Sequence, residues 1–207
     1  MNLPTKDKYD NQYLSYSQIS CFLRSKEQYL KTYILKEPFI GNEYTDFGSN
    51  VGKALELNDF SNFSESEKYI LNKVTRLDLF ERKTILKYDD FYIIGFMDTC
   101  SNDLSRIIDY KTGGIGKEFE YMKDEYTQLI YYALSIKQEI GVIPKSASVE
   151  FITRQGNLYR GEKLTVANKE PILIDIDLSE SRLKRVYWNT IDIAKEISEF
   201  YKKHLQI

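Results

Sequence analysis

Asp98, Asp109 and Lys111 stand at the ends of two apolar runs, IIGFMD and SRIIDYK, which are separated by the polar stretch CSNDLS. Short runs rich in Ile and aromatics on either side of turn residues predict a β-hairpin across 93–114. Side chains alternate along a strand, so Asp109 and Lys111 share one face and Tyr110 takes the other. If the strands pair, Asp98 comes close to both. Two carboxylates in a small space repel each other and are relieved by a hard cation, and Mg²⁺ takes one or two carboxylates together with water and phosphate. A lysine beside them can hydrogen-bond an attacking water and neutralise charge that builds on a phosphate. The chemistry offered is metal-assisted phosphodiester hydrolysis. A solvated hairpin with an ordinary Asp–Lys pair has the same tripeptide, so D-x-K alone does not separate the two readings.

The elements that must position these residues are legible in order. Residues 1–13 are polar and read as a flexible N-terminus. LSYSQISCFLRSKEQYLKTYIL has the apolar spacing of one helical face, with Ser15 and Gln18 as a capping box and Pro38 and Gly41 as its stop. A second helix is predicted across TDFGSNVGKALELNDF, where Glu56, between Leu55 and Leu57, either sits solvated at a rim or turns inward to hold metal. SESEKYILNKVTRL predicts a short helix capped by Ser64 and Glu67. LFERKTILKY and FYIIGFMD then predict a hairpin turning at Asp89 and Asp90, with LSRIIDYK as a third strand. One helix is predicted through 118–141, on which Gln128 and Tyr132 share a face; the plain reading buries Tyr132 and exposes Gln128. SASVEFITR is a further strand, LYRGEKLTV and PILIDIDL are strands or connectors, and residues 179–205 form a closing amphipathic helix. The order predicts an α/β domain, with a central mixed sheet flanked by helices.

Composition excludes several classes. A net charge of −2 lacks the signature of a strongly basic nucleic-acid binder, although a local basic groove beside acidic metal ligands would cancel in such a sum. Cys21 and Cys100 lie far apart with no C-x-x-C spacing, and His204 is the only histidine, so zinc sites and His-based catalysis are not expected. No apolar run reaches the roughly 18 residues of a membrane span, and the N-terminus has no signal pattern. A cytoplasmic protein with no membrane association is expected. Most of the 17 tyrosines are assigned to the core.

Five blocks in collinear order resemble the PD-(D/E)XK nuclease superfamily, most closely its RecB-type and phage exonuclease branch, to which the CRISPR-associated adaptation nucleases are related. LSYSQISCFLRSKEQYLKTYI is similar to that branch's S-x-S-x-l-x-x-F-x-x-C-P-x-x-Y helix and FGSNVGKALE to its F-G-x-x-x-H-x-x-l-E helix. IIGFMD is similar to its G-x-x-D strand, IIDYKTG to its D-Y-K-T-G strand, and QLIYYAL to its Q-l-x-x-Y-a helix. The resemblance implies a restriction-endonuclease-like core in one nuclease domain over 14–207. It implies Asp98 and Asp109 as metal-binding carboxylates, Lys111 as the catalytic lysine, Glu56 as a further acid at the metal, and the Tyr110 carbonyl completing the metal shell. Gln128 and Tyr132 become the element that lies along DNA and the active site. Two positions depart from the pattern: Gly52 stands where many relatives have a metal-binding histidine, and Ser25 where iron–sulfur members have a cysteine. No iron–sulfur cluster is expected.

The function this implies is an Mg²⁺- or Mn²⁺-dependent DNA exonuclease of phage or mobile-element recombination and repair. Its partners would be DNA and a single-strand annealing protein or helicase, in the host cytoplasm. An endonuclease or RNase of the same superfamily and a non-cleaving nuclease-like binding domain are the alternatives.

Overall fold

The computed structural model of the chain describes residues 1–38 and 41–205. Positions 39, 40, 206 and 207 of the unit expected over 14–207 lie outside the described residues. Ser15, with extended backbone, caps α1 (Tyr16–Arg24) by accepting a hydrogen bond from the Gln18 N–H at 3.3 Å. The single helix expected here is interrupted at Ser25. That residue is also extended, and its hydroxyl accepts from the Gln28 N–H at 3.2 Å, so it starts a second helix, α2 (Lys26–Tyr29), rather than continuing the first. A π-helical turn, Leu30–Ile34, follows. Asn42 and Thr45 form a capping box at the start of α3 (Glu43–Leu57), and Ser64 with Glu67 forms the expected one on α4 (Glu65–Leu71).

The strands are β1 (Tyr13–Ser15), β2 (Leu79–Lys87), β3 (Tyr92–Cys100), β4 (Arg106–Gly113), β5 (Ser146–Gln155), β6 (Thr165–Val166) and β7 (Ile172–Asp175). β2 and β3 form the expected antiparallel hairpin, closed by the Tyr88 N–H on the Phe91 carbonyl at 2.8 Å. β4 runs parallel to β5 from Arg106↔Ser146 to Gly113↔Thr153, and β6 and β7 pair antiparallel with β5. Helix α5 (Gln128–Ile140) and the long α6 (Glu180–His204) complete the chain. The sheet is mixed and has helices on both faces. One apolar cluster joins α1, α5 and α6 to Ile93, Met97, Ile107 and Val149; the other joins α3 and α4 to Ile108, Tyr110 and Ile152. Among the described residues, no helix is long and apolar enough to cross a membrane.

The N-terminal residues dock on the domain: Leu3 is 1% exposed, and the Asn2 N–H donates to Ser198 Oγ on α6 at 2.8 Å. One buried leucine stabilises by about 1.5–3 kcal/mol, and a polar composition around it conceals that anchor. The helix expected through 118–141 is broken. Lys117–Met122 is a 3-10 helix, and α5 begins only at Gln128.

The arrangement of β3 positions the site. All of it except Asp98 pairs with β2 on one edge, while the other edge is shared between β1, against Tyr92–Ile94, and β4, against Thr99 and Cys100. Between them, from Gly95 to Asp98, that edge meets no strand. The sheet forks there.

Candidate active site

Side chains fill the fork. The Tyr110 N–H, which a continuous ladder would direct to β3, donates instead to Asp98 Oδ2 at 2.6 Å. The Phe96 carbonyl accepts from the Tyr132 hydroxyl at 2.7 Å. A buried backbone group without a partner costs about 1–3 kcal/mol, so these two side chains are what permit the ladder to open. The N–H and C=O of one strand residue point to the same edge, so the Tyr110 carbonyl faces the fork as well.

Asp109 is 0% exposed and fully engaged. Gln128 Nε2 donates to its Oδ1 at 2.9 Å, the Tyr126 hydroxyl donates to its Oδ2 at 3.0 Å, and the Lys111 ammonium forms an ion pair at that same oxygen. Gln128 Nε2 also reaches the Tyr132 hydroxyl at 2.8 Å. Gln128 and Tyr132 therefore stand behind Asp109. Tyr132 is 5% exposed, and its hydroxyl donates to the Phe96 carbonyl. The break before α5 explains this placement: the chain turns at 123–127 and delivers Tyr126 and Gln128 to the two oxygens of one carboxylate. Arg182 holds the turn from α6, donating to the Tyr126 carbonyl at 3.2 Å and the Asp124 carbonyl at 3.4 Å.

A cavity of about 730 Å³ opens over the fork, and Asp98, Lys111, Tyr110, Glu56, Glu81 and Gly52 line it. Burial first, and Asp109's charge second, push the Asp98 carboxyl up to about 7, against the pull of Lys111 and the Tyr110 N–H. Burial also opposes the charge on Lys111, yet Asp109 and then Asp98 hold its ammonium above the ordinary lysine value. Lys111 is thus a permanent cation, not a proton acceptor, at neutral pH. Glu56 faces the cavity but is paired with Lys53 at 2.8 Å, midway between the rim and the inward position.

Sequence reasoning missed three residues here: Tyr126, Arg182 and Glu81. Counting back from the turn residues Asp89 and Asp90 pairs position 81 with 98, and the neighbours do pair as Phe80↔Thr99 and Arg82↔Met97. Glu81 itself has a left-handed φ of 48°, an uncommon state for a non-glycine residue, and it leaves the ladder. Burial, then Glu56's charge, raise its carboxyl above the ordinary value. The register was available in the sequence. The displaced backbone was not.

Gly95, the glycine of IIGFMD, serves close approach, since a Cβ there would lie 2.5 Å from Tyr132 Cε1. Gly95→Ala is therefore expected to displace the Tyr132 ring and cost about 1–3 kcal/mol of stability. Thermal unfolding measures it. An unchanged melting temperature would show that the ring is not held as described.

No family model matches this chain, and no curated protein matches it. Among solved structures it is similar to a crystal structure described as that of a "putative exonuclease" from Eubacterium rectale, with a TM-score of 0.59 over 98% of this chain and 88% of that one. The two chains share a fold. At 13% identity the likeness is one of architecture, a mixed sheet flanked by helices as in an exonuclease-like fold.

Oxygen donors of the kind that suit Mg²⁺ or Mn²⁺ line the cavity, and the raised carboxyls of Asp98 and Glu81 carry repulsion that a cation would relieve. In donor type and charge the residues fit such an ion. Among the described residues, no three His, Cys, Asp or Glu side chains are already gathered into one metal-binding group, and Asp109's oxygens are turned to Tyr126, Gln128 and Lys111.

Proposed function

We propose that the chain is a metal-dependent deoxyribonuclease of the PD-(D/E)XK superfamily, of its RecB-type branch, that degrades DNA from ends. The observation that supports this most is the fork itself, where Asp98, Lys111 and the Tyr110 backbone face one cavity with Asp109 locked behind them. Asp98, Glu81, Glu56 and the Tyr110 carbonyl would hold Mg²⁺ or Mn²⁺, with Asp109 joining if Lys111 gives up its oxygen. Such an ion supplies Lewis acidity to the scissile phosphate and lowers the pKa of water. Lys111's fixed charge offsets the negative charge that grows on the phosphate during in-line attack. Burial and the Asp109 charge raise the Asp98 carboxyl in the metal-free chain, and a bound cation would relieve that repulsion and hold Asp98 ionised. Gln128, Tyr126 and Arg182 keep Asp109, and through it Lys111, in place.

The test is digestion of end-labelled linear and covalently closed circular DNA in Mg²⁺, Mn²⁺ or EDTA by wild type and Glu81→Gln. Metal-dependent loss of linear DNA alone is expected, with the variant slower by about 10–100-fold. Cutting of the circle would replace the exonuclease with an endonuclease. No cutting with DNA binding intact would make the chain a non-cleaving nuclease-like domain, which is the reading that Asp109's fully engaged oxygens favour.

A further inference from the structure

A second cavity, of about 420 Å³, lies across α3 from the fork. Phe47, Asn50, Ala54 and Leu57 face it from one stripe of the helix, Gly48, Gly52 and Glu56 face the fork cavity from another, and Lys53 between the stripes lines both. Its floor is apolar, with Phe47, Ala54 and Leu164 buried. The half-buried Phe63 ring forms one wall, and Asn50, Asn62 and Lys163 stand exposed at the rim.

The polar inventory narrows the ligand. Glu67 is 9% exposed and its oxygens are taken by the Ser64 N–H, the Ser64 hydroxyl and the Val166 N–H, so it is not free to bind a ligand, while Asp59, which accepts from the Ser61 N–H, stands exposed at the edge. The side chains of Asn50, Asn62 and Lys163 make no hydrogen bond to the protein among the described residues. What the cavity offers is an apolar slot with an aromatic wall, two carboxamides that can both donate and accept, and an ammonium. A slot suits a flat heterocycle, carboxamides match the mixed donor and acceptor edge of a base, and an ammonium matches a phosphate. The volume is within the range of small-ligand pockets and suits a single nucleoside.

We propose that this cavity takes one unpaired nucleobase of the bound strand. The base lies against Phe63, Asn50 and Asn62 meet its edge, and the strand crosses α3 at Lys53 between cavity and fork. The choice of DNA as the ligand rests on the nuclease reading above. The pocket itself is argued from its own lining.

The experiment is binding of a labelled single-stranded oligodeoxynucleotide in EDTA, where nothing is cut, by wild type, Phe63→Ala and Asn62→Ala. Phe63→Ala is expected to weaken binding by about 5- to 100-fold, the loss of one stacked base. Asn62→Ala, at an exposed position that the fold does not need, should weaken it as well. Abasic sites stepped along the strand should reveal one position that weakens the wild type but weakens Phe63→Ala no further, since the two changes remove the same contact. Equal affinity of Phe63→Ala and wild type, or abasic losses that simply add to the variant's loss, would overturn the pocket. If wild type cuts DNA and the variants bind normally, the pocket falls and the nuclease reading stands. If wild type binds no DNA, both fall.

Discussion

Asp98→Asn is expected to abolish cleavage, by roughly a thousandfold or more, and at the same time to make the metal-free protein more stable at pH 8. A site residue that costs stability when charged has this double signature. In the folded chain Asp98's carboxyl stands at about 7 against an ordinary value of 3.8, so between those limits the native state binds a proton that the unfolded chain has released. Stability then falls as pH rises through that window, and above about 7 the penalty is complete. The full shift corresponds to roughly 4 kcal/mol, and about 2–4 kcal/mol is expected, or about 2–4 °C in melting temperature for each kcal/mol at this chain length. Asparagine removes the charge and keeps an oxygen for the Tyr110 N–H. The gain should therefore shrink as pH falls from 8 and vanish near 4. Mn²⁺ should stabilise wild type more at pH 8 than at pH 6, because protons compete for the same oxygens, and should leave the variant unmoved. Thermal unfolding in EDTA and in Mn²⁺ across pH 4–8, with one cleavage assay, decides it. Retained cleavage, or a variant no more stable than wild type at pH 8, would remove Asp98 from the site.

Lys111→Met should be the most damaging single change to the fold near the site. It leaves Asp109, at 0% exposure, with only Tyr126 and Gln128 as donors. Breaking one partner out of a buried ion pair typically costs about 3–5 kcal/mol, whereas replacing both is often close to neutral. The double change Asp109→Asn with Lys111→Met should therefore recover most of the lost stability while remaining without activity. Denaturant unfolding of wild type, Lys111→Met, Asp109→Asn and the double variant gives the coupling directly, and about 2 kcal/mol or more is expected. Additive losses would mean that Lys111 in solution turns to the cavity and leaves Asp109 to its two neutral donors.

The sequence made the ends of β3 and β4 legible because both signals are local. Alternation placed Asp109 and Lys111 on one face and Tyr110 on the other, and the observed clusters divide at that residue, with Ile107 on one side of the sheet and Ile108 and Tyr110 on the other. The capping residues Ser15 and Ser64 were legible for the same reason, since a cap acts within one turn. The features that escaped depend on distant partners. The break before α5 is held by Arg182, more than fifty residues downstream, and nothing in KDEYTQL itself forbids a helix. Three-residue β1 has too short an apolar signature to be seen without β3 beside it. Glu81 looked like the polar face of a strand because its left-handed backbone, which takes it out of the ladder, has no mark in residue type.

The fork has a consequence for spectroscopy. The Tyr110 amide proton lies on a 2.6 Å hydrogen bond to a carboxylate oxygen rather than to a peptide carbonyl. Charge-assisted bonds of this kind are short and polar, so the resonance of that proton sits far downfield while Asp98 is ionised and retreats when it takes up hydrogen. A single backbone signal thereby acts as a gauge of the electric charge at the bottom of the cavity. It can be read in the resting protein, before any substrate is present.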